Sequence, residues 1–201
     1  QEHNVSINGG NDKLSFYGSF NYLDQGGTLK LGDDGMKRYN ATAKVSVTIT
    51  DWLKLKYSTR FIRSDRHRPT YLGNSSYYDY MGRQSWPNIP LRDPNGYLWQ
   101  NLPCTMLEMG GKRTLRGDQN YQQVALVIEP VKDWITNVEF NYRKYDEVVK
   151  ATSLPYMGYT PSGLLIDNHN DTSLTQSSKK ENLINFNVYS TYSKTIKDAH
   201  H

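Results

Sequence analysis

Between residues 66 and 117 the chain offers its densest set of side chains suited to holding a ligand. Tyr71, Tyr77, Tyr78, Tyr80, Trp86, Tyr97 and Trp99 are interleaved there with Arg83, Arg92 and Asp93. Flat aromatic faces with polar neighbours suit sugar rings or peptide side chains. The plainer role for the same residues is to pack the loop against itself or against a partner protein. Tyr77, Tyr78, Tyr80, Arg83, Trp86, Tyr97 and Trp99 are therefore the candidate ligand or partner contacts.

Covalent and metal chemistry find little to work with. Cys104 stands alone beside Pro103, and no Ser/His/Asp or Cys/His arrangement is legible. The histidines are dispersed and lack metal-ligand spacing. "DDG" at 33–35 and "DNHND" at 167–171 lack the complete ligand spacing of a calcium loop. They read as solvated loop tips, because Asp, Asn and Gly are turn formers. "RDPNG" at 92–96 reads as a type I turn with Pro94 second and Gly96 fourth. No catalytic residue, metal site or cofactor is expected, and the chain is not expected to be an enzyme.

The elements that must carry this loop are strands. Residues 39–49 place Tyr39, Ala41, Ala43, Val45, Val47 and Ile49 on one face, with Asn40, Thr42, Lys44, Ser46 and Thr48 on the other. The next run repeats the pattern, with Leu53, Leu55, Tyr57 and Phe61 opposite Lys54, Lys56, Ser58 and Arg60. Strands are expected near 2–9, 14–23, 38–50, 53–65, 118–131, 134–149 and 182–196. Short turns fall at Asn11-Asp12-Lys13, Asp51-Trp52 and Asp133-Trp134, and long loops at 24–37, 66–117 and 150–181. This strict alternation puts every short turn at one end of the sheet and every long loop at the other, as in outer-membrane barrels.

The bulk properties fit that reading. The chain has 201 residues, 36% hydrophobic and 22% charged, with a mean hydropathy of −0.76. No run approaches the ~20 apolar residues of a membrane helix. A barrel escapes this test because only alternate residues face lipid. The 16 tyrosines are amphipathic and suit interfaces. The net charge of +4 is scattered rather than clustered, so no nucleic-acid partner is expected. One cysteine excludes a disulfide framework within the chain. The opening "QEHNVSINGG" lacks the basic and apolar regions of a signal peptide, so a mature chain or a piece of a longer one is expected.

The Asp-Trp turns recur with a spacing. Tyr39, Tyr121 and Phe186 precede Asp51, Asp133 and Asp198 by the same twelve residues. At ~3.3 Å per residue and a tilt of ~40°, that span projects to about 30 Å, the apolar band plus its flanking aromatic girdles. Tyr39, Tyr121 and Phe186 would mark the outer membrane interface, and Trp52 and Trp134 the inner one. Membrane lipid is then a partner. The pattern has defects. Val124, Leu126 and Ile128 favour the opposite parity from Tyr121, Pro130 interrupts the ladder, and Ala199 replaces Trp in the third copy. Lys44, Lys54, Lys56 and Arg60 would face the lumen, lining a polar pathway or pairing with an internal plug. Seven open strands leave bare edges, so the fold class is an all-β, antiparallel transmembrane β-barrel segment. Residues 1–201 then form part of one larger barrel with long extracellular loops.

Two stretches carry a family resemblance. "HNVSINGGNDKLSFYGSFNYLDQGG" at 3–27 resembles the start of the barrel in the SusC/RagA family of TonB-linked outer-membrane transporters. "KRYNATAKVSVTITDWLKLKYSTRF" at 37–61 resembles the hairpin that follows it. The "YLDQGG" and "KRYN…TDWLK" patterns are the specific part. The resemblance implies a signal peptide, a carboxypeptidase-like domain, a TonB box and a plug before residue 1, and further strands after residue 201. It also implies a SusD-like surface lipoprotein as partner, coupling to the TonB complex, and import of glycans or peptides across the bacterial outer membrane. The alternatives are a soluble β-rich glycan-binding or adhesive domain and a passive porin. Expressed alone, the chain is expected not to fold as a soluble monomer. A sharp two-state melt of the isolated, monodisperse chain would rule the membrane reading out.

Overall fold

The structure is a computed structural model that describes residues 1–28, 30–72, 82–83, 88, 90–99, 103–160, 162–163 and 165–194. Among the described residues the chain is all-β apart from short helical stretches in the longest loop. Strands β1 (Glu2–Gly10), β2 (Leu14–Gly26), β3 (Gly35–Thr50), β4 (Leu53–Pro69), β5 (Lys112–Val131), β6 (Trp134–Ser153) and β9 (Ser173–Tyr192) pair antiparallel in chain order into a 7-stranded sheet. Among the described residues the sheet is open, with β1 and β9 at its edges. The short strands β7 (Tyr156–Tyr159) and β8 (Leu165–His169) form a separate hairpin in the last long loop, and helix α1 (Pro103–Met109) lies in the longest one.

The strands outrun their alternating pattern at the loop end. β4 continues to Pro69, β5 begins at Lys112 and β9 at Ser173. These extensions are polar on both faces, with Arg66 and Arg68 on β4 and Gln176, Lys179 and Lys180 on β9, so no period reveals them. Each neighbouring strand nevertheless presents free N–H and C=O groups, and pairing satisfies them.

Register sorts the side chains onto two faces, since residues opposed across an antiparallel ladder share a face. One row runs Phe16–Val45–Tyr57–Val124–Phe140–Phe186. The adjacent row runs Tyr17–Lys44–Ser58–Gln123–Asn141–Asn185 and faces the other way. A trough of about 680 Å³ on this second, polar face is lined by Asn8 of β1, Lys56 of β4, Glu139 of β6 and Tyr189 of β9. One concavity reached from both edge strands means that the sheet curls with its polar face inside and its apolar face outside.

The apolar rows form a band on the turn half of the convex face, and the band crosses the sheet obliquely. On β2 it spans Leu14 to Tyr22, and on β9 it spans Ile184 to Tyr192. The row through Ile184 passes Tyr142, Gln122, Thr59, Ala43 and Gly18, so the border has moved towards the turns. A drift of roughly four residues over five strand steps corresponds to a tilt of about 30° between the strands and the band normal. The band stays in water in the isolated chain, with Val5 70%, Phe140 42% and Phe186 64% exposed. Among the described residues, three of the five buried apolar side chains, Leu98, Met106 and Leu107, belong instead to the longest loop, as does the fully buried Thr105.

The loop end is cross-tied through backbone. Thr70 N–H donates to Gly111 O at 3.0 Å and Leu154 N–H to Gly110 O at 3.1 Å, joining the ends of β4 and β6 to the start of β5. Gly111 sits at φ 106, and a Cβ there would lie 2.1 Å from Thr152 O. Gly111→Ala is expected to cost at least about 2 kcal/mol, because strain and clash combine. Gly163→Ala, at φ 81 in open space, should cost about 1 kcal/mol, from backbone strain alone. Urea unfolding in detergent micelles checks the difference.

Candidate functional site

The two Asp-Trp turns are not equivalent. Thr50 pairs with Leu53, leaving Asp51 and Trp52 as the turn, whereas Val131 pairs with Trp134, leaving Lys132 and Asp133. The expected Asp133-Trp134 turn is thus displaced by one residue. Asp133 takes φ 69, and its carbonyl accepts Ser193 N–H at 3.0 Å. Pro130 lies inside the register shift between Ile128 and Val131, as its missing donor requires.

That displacement corrects the expected aromatic girdle. A one-residue slip sends every side chain to the opposite face. Counting back from Asp133 therefore lands Tyr121 on the concave face, where Arg60 stands 4.4 Å from its ring centroid. Tyr39 does lie on the convex face at the band's border, with its ring 5.1 Å from Tyr22. Phe186 lies inside the band opposite Phe140 rather than on a border, because the band drops towards the turns and Ile184 lies beyond it. Trp134 starts β6 on the convex face, donates its indole N–H to Ser190 Oγ at 2.7 Å and pairs with Tyr192. Trp52 sits in its turn, half exposed. Tyr22 and Tyr192 complete the borders. Neither was selected by counting from Asp-Trp, though each could have been found by pairing strands.

Lys44, Lys54, Lys56 and Arg60 share the concave face. Among the described residues none of them makes an ion pair. Lys44 stands 5.9 Å from the Tyr17 ring centroid, and Tyr189 donates to Glu139 Oε1 at 3.1 Å across the same trough. A second concavity of about 670 Å³ is lined by Lys44, Arg60, Tyr121 and Arg143. The facing rows supply Asn, Gln, Ser and Thr, so this wall offers hydrogen bonds and positive charge together.

The aromatic loop is described in part. Tyr77, Tyr78, Tyr80 and Trp86 lie outside the described residues, whereas Arg83 is among them. The "RDPNG" turn forms as expected. Gly96 N–H donates to Asp93 O at 2.9 Å, Gly96 takes φ 89, and buried Asp93 Oδ1 accepts N–H groups from Asn95 and Tyr97. This turn brings Tyr97 onto Tyr159, the two rings stacked at 4.4 Å, and Trp99 beside the same strand. The Trp99 indole N–H is buried with no acceptor among the described residues. So Tyr97 and Trp99 are brought together by a partner on β7 that sequence spacing does not reveal. Burial pushes the Cys104 thiol up, with Glu108 adding to the effect, which disfavours the nucleophilic thiolate.

Asp33 is solvent-exposed, as expected of a loop tip, but it also makes ion pairs. His67 Nε2 lies 2.9 Å from Asp33 Oδ1, and Lys112 binds Oδ2, strapping the first long loop to the ends of β4 and β5. The Lys112 hydrogen bond, then that of His67, holds the Asp33 carboxyl below its ordinary value of 3.8. Among the described residues no group of three His, Cys, Asp or Glu side chains is placed to hold a metal. No family model matches the sequence, and no curated protein matches it either.

Because the folded-state pKa of Asp33 lies below the unfolded one, the strap's contribution is complete above about pH 4 and disappears as pH falls through the folded value. Asp33→Asn should reproduce the acid-loosened state at neutral pH. Protease nicking of residues 27–34 checks this. Equal nicking of both proteins at pH 7 would show that the strap holds nothing.

Proposed function

We propose that the chain is part of the wall of a transmembrane β-barrel in the bacterial outer membrane. It belongs, on this reading, to a SusC/RagA-like TonB-linked transporter importing oligosaccharides or peptides. The observation that supports it is the oblique apolar band on the convex face. Leaving a Val, Leu or Phe side chain in water forgoes about 1.5–3 kcal/mol each, and the band repeats that loss on every long strand. Contact with hydrocarbon removes it. A planar slab crossing tilted strands also gives the band its slope, near the strand tilt of about 35–45° found in such barrels. The soluble glycan-binding alternative needs a polar outer face where Val45, Leu55, Phe140 and Phe186 stand.

The transport reading draws further support from the polar concave wall, whose β3, β4 and β5 cations make no ion pair among the described residues, and from the "YLDQGG" and "KRYN…TDWLK" resemblance. The SusD-like lipoprotein would meet the long-loop end, where Tyr97 and Tyr159 stack. The TonB complex would act through parts of the protein outside this chain.

Neighbouring residues give the sharpest test. Val45→Lys on the convex face should cost about 2–4 kcal/mol if it meets the bilayer midplane. Ser46→Lys, one residue on and facing inward, should cost little. Membrane fractionation and heat-modifiable gel migration of the full-length protein read this out. Equal tolerance of both substitutions would remove the membrane reading.

A further inference from the structure

Between the turn-end bulge of β5 and the loop end, the described concave positions of β3, β4 and β5 carry charge of one sign only. On β4 the inward positions include Lys54, Lys56, Arg60, Arg66 and Arg68. β3 fills the rungs that β4 leaves to serine, with Lys44 opposite Ser58 and Arg38 opposite Ser64. Arg113 of β5 stands opposite Arg68. Only the rung of Asn40 and Ile62 lacks a cation. Rungs follow one another about 7 Å apart, two residues at ~3.3–3.4 Å each.

Of the acids on these strands, Asp65 and Asp118 point to the convex side, where Arg116 and Arg63 bind them at 3.0 and 2.7 Å. Glu129 sits in the bulge at the turn end of β5, below the ladder, and accepts Asp133 N–H at 3.2 Å. The ladder cations make no ion pair among the described residues. The nearest other carboxylates are Glu139 and Glu147 of β6, Glu181 of β9 and, at the loop end, Asp34, which lines the same concavity as Arg66, Arg68 and Arg113. Glu139 is engaged by Tyr189, Glu147 by Tyr145, and Glu181 by Lys179 with Arg143. Ladder side chains line three successive concavities. Arg66, Arg68 and Arg113 line one of about 490 Å³ at the loop end. Arg60 and Lys44 line the middle one, and Lys44 and Lys56 the one towards the turns.

Charged side chains at the depth of the apolar band are retained where they do work, and rings of Arg or Lys select anions in membrane pores. We propose that this ladder guides a solute with several fixed negative charges, an acidic oligosaccharide, along the inner wall from the loops towards the turns. The inference rests on the barrel reading and names the cargo class for the same wall. Multiple rungs matter because a chain of anions can exchange one contact for the next without leaving the wall. The intervening Asn, Gln, Ser and Thr rows, with Tyr17 and Tyr121, supply hydrogen bonds and stacking faces for sugar rings.

The test uses the full-length protein in detergent micelles, titrated with an oligogalacturonate and with a neutral maltooligosaccharide of equal length. The acidic glycan should bind at least tenfold tighter, with an affinity that falls as salt rises. Lys44→Gln with Lys56→Gln should remove most of that preference, while Lys150→Gln on the convex face should leave it unchanged. Equal affinity for both glycans overturns the proposal and assigns the ladder to an acidic protein segment packed inside the wall. An equal loss from Lys150→Gln also overturns it, since the attraction would then be unspecific. Heat-modifiable migration of each variant shows that it has folded. A protein that never partitions into membranes or micelles overturns the barrel reading itself, a failure separate from loss of anion preference.

Discussion

Backbone hydrogen bonding between neighbouring strands forces opposed residues onto one face and successive residues onto alternate faces. Every other feature depends on that constraint. It is why a Phe on β2 and a Phe on β9, far apart in the chain, belong to one band with Val45 and Tyr57 between them. It is also why a single displaced turn residue carries consequences along a whole strand. The ladder costs little to satisfy, since each backbone group finds its partner on the next strand. What it decides is which side chains are left facing in and which face out.

The two faces solve their electrostatics differently. Beyond the apolar band the convex face pairs its charges directly, with Arg63 bidentate on Asp118, Arg116 on Asp65 and Lys144 on Asp146. Exposed pairs of this kind are worth at most about 1 kcal/mol each, but they leave the surface locally neutral. The concave face of the central strands does the opposite, and among the described residues its cations make no ion pair. Curvature draws those cations towards the same side of the sheet. The loops add a third arrangement, with Leu98, Met106 and Leu107 buried in the longest loop and Asp33 paired to His67 and Lys112 at the ends of β4 and β5.

Alternation made the long strands legible, because a half-polar strand writes its two faces directly into the residue order. Lys44, Lys54, Lys56 and Arg60 were readable as one face for the same reason. The upper rungs were not. Arg66, Arg68 and Arg113 sit where both faces are polar, and only pairing with neighbouring strands extends β4 and β5 to include them. Tyr121 was misplaced because Asp-Trp looks the same at both corners, while the register places Asp51 inside its turn and Trp134 outside its own. The Tyr97–Tyr159 stack joins two loops distant in sequence, so no local spacing announces it.

The residue order by itself determined an antiparallel all-β chain with short turns at one end, long loops at the other, and one apolar and one polar face. Those properties are local, set by period and by turn chemistry. Only the tertiary structure decided which face is convex, how obliquely the apolar band crosses the strands, and that the cations of β3, β4 and β5 join into one ladder. These depend on register and curvature, which arise between strands and are not contained in any one of them.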